Sequence, residues 1–260
     1  MQKFRNLSAI LSVLLVAIWF VTAAQAGQAP QPVVLELFTS EGCSSCPPAD
    51  ALLSQLSHQR TAAGVELILL GEHVEYWNDL GWRDRFSAPA FTQRQYDYVR
   101  KLHLATAYTP QIVVDGHLQA VGGNAGAVQR MIAEAARTAK PAAVSLKLVS
   151  PDKLQVTVAD SGVTKLEVLL AVTEDNLSTS VLGGENGGRI LQHNAVVREL
   201  HMLGATSNGR FNRTVTVPDR NGWKAEDLRV VVLVQDASSG GIHGAASIPF
   251  QSPGRVATGR

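Results

Sequence analysis

The sequence predicts an α/β domain of order β-α-β-α-β-β-α followed by an all-β, sandwich-like domain. Three observations lead there. Segments of helical period alternate with short apolar runs as far as Pro141. Asp115-Gly116 stands between two apolar runs, a strong hairpin signal. Beyond Pro141, about seven strand-like runs succeed one another with no helical segment between them. The expected division is therefore residues 27–141 and 142–250.

Residues 33–38 are apolar strand formers broken only by Glu36, and they run into the turn Thr39-Ser40-Glu41-Gly42. After Cys43-Ser44-Ser45-Cys46, the residues Ala49, Leu52, Leu53 and Leu56 recur at helical spacing to about His58. Pro47 and Pro48 fit that helix's first turn, where a missing amide hydrogen costs little. Residues 65–70 read as a second buried strand, and 89–104 as a helix with Phe91, Gln95, Tyr98 and Leu102 on one side. Thr109-Pro110 precedes strand 111–114, the Asp-Gly turn and strand 117–121. A last helix over 125–139 is stopped by Pro141. The later strands are expected at 143–149, 153–159, 165–173, 190–203, 210–217, 229–235 and 241–248. The glycine-rich stretch 183–188 lacks the Lys and Ser/Thr of a phosphate loop and reads as a hairpin or interdomain loop. Residues 251–260 have nothing to bury and read as a flexible tail.

Composition excludes several classes. Among 260 residues, 23 Lys and Arg stand against 22 Asp and Glu, a formal charge of +1, so no electrostatic footprint for nucleic acid is present. An apolar share of 45% with a mean hydropathy of +0.05 is too apolar for disorder and too mixed for a multispanning membrane protein. Lys3 and Arg5, an apolar run over 7–21 and Ala24-Gln25-Ala26 form a secretory signal pattern, with cleavage expected after Ala26. The apolar run is shorter than the roughly 20 residues that span a bilayer, so no membrane span is expected after cleavage. A periplasmic or secreted location follows, where disulfides form and persist.

The only two cysteines stand three apart at a helix start. A helix N-terminus directs amide hydrogens and a positive dipole end at the first sulfur, which lowers a thiol pKa from about 8.5 to about 7 or below. Cys43 is therefore the expected accessible nucleophile, and Cys46, one turn on and buried, the resolving thiol. Two other readings stay open. As an inert bridge the pair would close only a tiny loop, which stabilises little. As a metal site it lacks the four ligands zinc takes, whereas Cu(I) held by Cys43, Cys46 and a histidine such as His73 is conceivable.

A CxxC that follows a buried strand and opens a helix, with Thr109-Pro110 before a hairpin about 65 residues later, resembles the thioredoxin-like superfamily. That resemblance implies a cis Pro110 packed beside the cysteines, a Thr109 backbone that pairs with extended substrate, and no amide donor from Pro110 near the sulfurs. The stretch Val34-Leu35-Glu36-Leu37-Phe38-Thr39-Ser40-Glu41-Gly42-Cys43-Ser44-Ser45-Cys46-Pro47-Pro48-Ala49-Asp50 gives a closer resemblance. With His73-Val74-Glu75-Tyr76-Trp77, Leu80-Gly81-Trp82, Gly183-Gly184-Glu185-Asn186 and the region to Arg198, it is similar to a family of secreted bacterial proteins, domain of unknown function 1223. Membership implies a thioredoxin-like domain and no particular substrate. The sequence departs from thioredoxin in having Ser44-Ser45 between the cysteines and Gly42 where thioredoxin has Trp, so redox direction does not carry over.

Glu36 has two readings: a buried carboxylate that shuttles the proton of Cys46, or a strand acid satisfied by a partner. His73, Tyr76 and Trp77 follow a strand end, where open α/β sheets place ligand grooves, and are expected to bind substrate alongside Thr109 and Pro110. Trp82 reads rather as packing. The function expected is thiol-disulfide exchange on a protein or small thiol or disulfide substrate, without a bound cofactor and with a membrane redox partner as a candidate. The alternative is a non-enzymatic periplasmic binding protein for a protein partner or Cu(I), its disulfide inert.

Overall fold

The computed structural model describes residues 32–59, 61–160, 162, 165–218 and 222–250. The expected leader and tail lie outside them. β1 (Val33–Thr39) enters the CxxC turn and α1 (Pro47–Gln59) leaves it; β2 (Thr61–Ala62) and β3 (Val65–His73) follow. Then come α2 (Pro89–Lys101), β4 (Gln111–Val114), β5 (Leu118–Val121) and α3 (Ala125–Ala135). The second half holds β6 (Ala142–Ser150), β7 (Lys153–Asp160), β8 (Glu167–Glu174), β9 (Leu177–Ser180), β10 (Ile190–His193), β11 (Val196–Ala205), β12 (Arg210–Thr216), β13 (Leu228–Gln235) and β14 (Ile242–Pro249). At the β4–β5 turn, Asp115 and Gly116 both take positive φ. A Cβ on Gly116 would lie 1.9 Å from Gly240 O, so the turn needs glycine for close approach as well as for conformation.

The expected fold class is overturned. The chain is not a thioredoxin-like α/β domain joined to a separate β-sandwich. It is mostly β, built on one mixed nine-stranded sheet of order β14-β13-β8-β11-β3-β1-β4-β5, with β2 beside β3. β11 supplies the join: Val196 pairs with Gly71 of β3 in parallel, Gly71 N donates to Ala195 O at 2.7 Å, and the other edge of β11 pairs antiparallel with β8. The physical reason is that β3 would otherwise leave an edge of unpaired backbone beside an apolar strand, and β11 satisfies it. The 190–203 run is two strands, β10 and β11, broken at Asn194-Ala195, where Ala195 takes positive φ.

Three apolar layers hold this sheet. Leu35 and Leu37 of β1 face α1 and α3 through Ala49, Leu53, Val128 and Ile132. On the opposite face, Val34, Ile68 and Leu70 meet Leu169, Ala171, Val231, Leu233 and Ile242, so β8, β13 and β14 pack over β1 and β3. The remaining face of β8 and β13 packs on the three-stranded sheet β12-β7-β6 through Val168, Leu170, Val172, Leu154, Val156 and Phe211. Each buried Leu, Ile or Phe here contributes about 1.5–3 kcal/mol, and β8 and β13 contribute on both faces.

Candidate functional site

β1 ends at Thr39, and the turn places Cys43 and Cys46 at the start of α1, where Ala49 N and Asp50 N both donate to Cys46 O. The two sulfurs form a disulfide with Cα atoms 5.4 Å apart. Ser45 Oγ lies 3.4 Å from Cys43 Sγ. Both cysteines are 0% exposed, whereas Ser44 and Ser45 face solvent. This corrects the expectation that Cys43 is accessible, and the second half of the chain grips the backbone of the turn. Asn186 Nδ2 donates to Glu41 O and Cys43 O, both at 2.9 Å, and Ser44 N donates to Glu185 Oε2 at 3.1 Å. The 183–188 loop can lie this close because glycines meet glycines: a Cβ on Gly183 would sit 2.6 Å from Gly81 O.

Behind the pair is a buried cluster of five ionisable side chains. Thr39 Oγ1 donates to Asp50 Oδ1 at 2.8 Å. His73 Nδ1 lies 2.6 Å from Asp84 Oδ2, which also accepts from Glu41 N, while Asp84 Oδ1 accepts from Phe86 N. His193 Nε2 stands 3.3 Å from Glu41 Oε1, an ion-pair distance without hydrogen-bond alignment, and Trp82 Nε1 donates to Glu41 Oε2. The His73 and His193 rings meet edge to face at 5.0 Å. Burial opposes charge on Asp84, yet His73 and the two backbone amides outweigh it and hold the carboxyl below its usual range. Burial likewise opposes the His73 cation, but Asp84, Asp50 and Glu41 raise its pKa. Glu41 is held low by His193, Thr179 and Trp82 against burial. Asp50 goes the other way: burial raises it, and His193, His73 and Thr39 only partly offset the rise.

A family model described as "Protein of unknown function (DUF1223)" matches residues 34–235, from β1 through β13. The chain belongs to this family. An X-ray structure of a protein from Agrobacterium tumefaciens is 26% identical, covers 85% of this chain and 95% of that one, and has a TM-score of 0.67. A domain of the outer membrane lipoprotein Omp28 from Porphyromonas gingivalis is 18% identical over 44% of this chain and 90% of that one, at a TM-score of 0.26, too low to carry an argument. No curated protein matches. Membership in DUF1223 thus spans the CxxC, its cover and the buried cluster together.

In this DUF1223 chain the structure separates Glu36 from the cysteines. Alternation along β1 turns Leu35, Leu37 and Thr39 toward α1 and Glu36 toward α2. There it accepts from Arg94 Nε and from Tyr98 Oη at 2.5 Å, with Glu72 beside the same guanidinium at 3.4 Å. Glu36 is the partner-satisfied acid, not the neighbour of Cys46. Thr109-Pro110 is cis, and Pro110 Cβ would touch a side chain at Gly122, as would Ala49 of α1. Trp77 joins this corner to the cysteine turn: its Nε1 donates to Thr109 Oγ1 at 2.9 Å, and its Cβ would lie 3.1 Å from a Cβ on Gly42. Tyr76 Oη donates to Gln95 Oε1, and burial pushes the phenol up to about 12, so it stays a donor. His73 is buried in the cluster rather than in a groove wall.

Sequence reasoning missed Glu41, Asp50, Asp84, Asn186 and His193 as parts of one site, and weighed Trp82 more as packing than as a wall of the groove. The one available signal was the glycine-rich 183–188 stretch, since consecutive glycines permit close backbone approach. Among the described residues, no group of three or more His, Cys, Asp or Glu side chains is arranged to hold a metal ion.

Proposed function

We propose that the protein is an exported thiol-disulfide oxidoreductase acting through Cys43 and Cys46, on a protein or small thiol or disulfide substrate. One observation carries the reading: the only two cysteines form a disulfide at the start of α1, between Glu41 and Asp50 of a buried cluster of three acids and two histidines. In one direction, a substrate thiolate attacks Cys43 Sγ, the S–S bond breaks, and Cys46 leaves as a thiolate that takes up a proton. The substrate's second thiolate then attacks its own sulfur in the mixed disulfide, which releases Cys43 and completes a two-electron oxidation of the dithiol. The Ser45 hydroxyl near Cys43 Sγ supports that thiolate. Because both cysteines are buried, reaction requires the turn that carries them to open. The signal pattern over residues 1–26 supports export, and a membrane redox partner would restore the pair after each turnover.

Full burial of the sulfurs favours a second reading, a non-enzymatic binding protein with an inert disulfide, holding a protein partner or Cu(I). One experiment separates them. The folded protein is equilibrated in glutathione buffers of stepped potential, and Cys46→Ala is challenged with glutathione disulfide to trap a mixed disulfide on Cys43. Reversible equilibration and a trapped adduct are expected. A disulfide that resists every buffer until the protein unfolds, with no adduct, refutes the enzyme and supports the binding protein.

A further inference from the structure

We infer that the cavity between α2 and the strands β8, β11 and β13 is a binding site for a small aliphatic zwitterion, a molecule with one carboxylate and one ammonium on a short apolar frame. The cavity holds about 280 Å³, close to the lower end of small-molecule sites, which run from about 300 to 1,000 Å³. It lies across β1 from the cysteine pair, beside the Arg94 and Tyr98 that hold Glu36. Its floor is polar, buried and fixed: Gln235 is 3% exposed and Tyr98 1%. Gln235 Nε2 donates to Tyr98 Oη at 2.9 Å and to Gly240 O at 2.6 Å. Arg94 Nη1 donates to Gln235 Oε1 and Arg94 Nη2 to Tyr98 Oη, both at 3.1 Å. With Nε given to Glu36, the guanidinium uses three of its five N–H donors and keeps two. One wall is apolar, made by Leu169 of β8 and Met202 opposite it on β11.

The remaining charges decide the ligand. Arg94 is paired with Glu36, and Asp97 accepts from Gln93 and Arg100. Lys101 of α2 and Glu167 of β8 line the same cavity, and neither has a hydrogen-bond or ion-pair partner among the described residues. The Lys101 stem is packed: a Cβ on Gly240 would stand 3.1 Å from Lys101 Cδ. An anion alone would leave Glu167 unmatched, and a cation alone would leave Lys101 unmatched. A zwitterion satisfies both. Its carboxylate meets Lys101 and Arg94, its ammonium meets Glu167, and its methylenes cover Leu169 and Met202, which is 54% exposed without a ligand.

The test is titration calorimetry on the folded protein with its disulfide intact. Two zwitterions are used, L-leucine with both charges on one carbon and ε-aminocaproate with a charge at each end, beside isocaproate and hexylamine, which carry one charge each. Saturable binding of at least one zwitterion is expected, with the single-charge probes weaker by about tenfold or more, since each forgoes a charged hydrogen bond. Tighter L-leucine marks a site for α-amino acids, and tighter ε-aminocaproate one for separated charges. Lys101→Met keeps the stem on Gly240 and should weaken the zwitterion about tenfold while leaving hexylamine unchanged. Glu167→Gln should weaken it similarly and leave isocaproate unchanged. If a variant fails to fold, the probe series on the unsubstituted protein decides alone. No saturable heat from either zwitterion, single-charge probes that bind as tightly, or folded variants that bind the zwitterion unchanged overturn the inference. None of these outcomes depends on disulfide exchange at Cys43 and Cys46.

Discussion

Removing the amide of Asn186 tests whether the 183–188 loop controls access to the disulfide. Asn186→Ala deletes two hydrogen bonds to backbone carbonyls and the one its Oδ1 accepts from Arg189 Nη1, whose guanidinium is exposed and turns to water instead. Cys43 O keeps the Cys46 amide at 3.2 Å, so Glu41 O is the acceptor left without a donor. One lost hydrogen bond and one stranded buried oxygen together amount to about 2 kcal/mol against the closed loop, and every 1.4 kcal/mol is tenfold. If reduction proceeds through a lightly populated open loop, its rate follows that population and should rise about 30-fold. The assay is reduction by excess dithiothreitol, quenched by alkylation and read by mass, with the rate in increasing urea measured alongside. An opening confined to the loop gives a rate nearly independent of low urea. A reduction rate equal to that of the unsubstituted protein refutes the argument. So does a faster rate with the steep urea dependence of global unfolding, which would make the loop part of the core rather than a cover.

Two further outcomes follow from the buried charges. Asp84→Ala strands the Glu41 and Phe86 amides and leaves His73 without its carboxylate, so stability should fall by about 3–5 kcal/mol in urea unfolding; a loss below about 1 kcal/mol would show that the cluster reorganises around the gap. Glu72 makes no hydrogen bond from either oxygen, and burial together with Glu36 pushes it well above its usual 4.5. The folded state therefore holds this proton more tightly than the unfolded chain, and the stabilisation present below 4.5 is lost as pH rises through the folded value. Glu72→Gln removes the titration. Its stability relative to the unsubstituted protein should improve by at least about 1 kcal/mol between about pH 4 and pH 8, and parallel curves from urea midpoints would contradict the assignment.

The first half was legible because its signals are local. The apolar run after Pro32, the helix after Pro47-Pro48 and the Asp115-Gly116 hairpin each depend on neighbours in sequence, and each element appears within a few residues of its expected bounds. The architecture was not legible in the same way, since the pairing of Val196 with Gly71 joins residues 125 apart and leaves no local trace. One clue was present in the strands themselves. Residues 168–172 and 230–234 are continuously apolar, whereas sandwich strands with one solvated face alternate. Such runs need cover on both faces, and here the first half of the chain supplies the second cover. The cysteine pair was visible at once for the same reason that its setting was not: Cys43 and Cys46 are adjacent turns of one segment, but the groups that enclose them arrive from 80–86 and 183–193.

That separation has a consequence for the protein's own biogenesis. Asn186 stands 143 residues after Cys43 in the chain. Synthesis proceeds from the N-terminus, so the nascent polypeptide presents both thiols long before the residues that grip the turn exist. The pair can therefore close into a disulfide before the 183–188 loop has taken its place against the turn, so its oxidation need not wait for the fold to be complete.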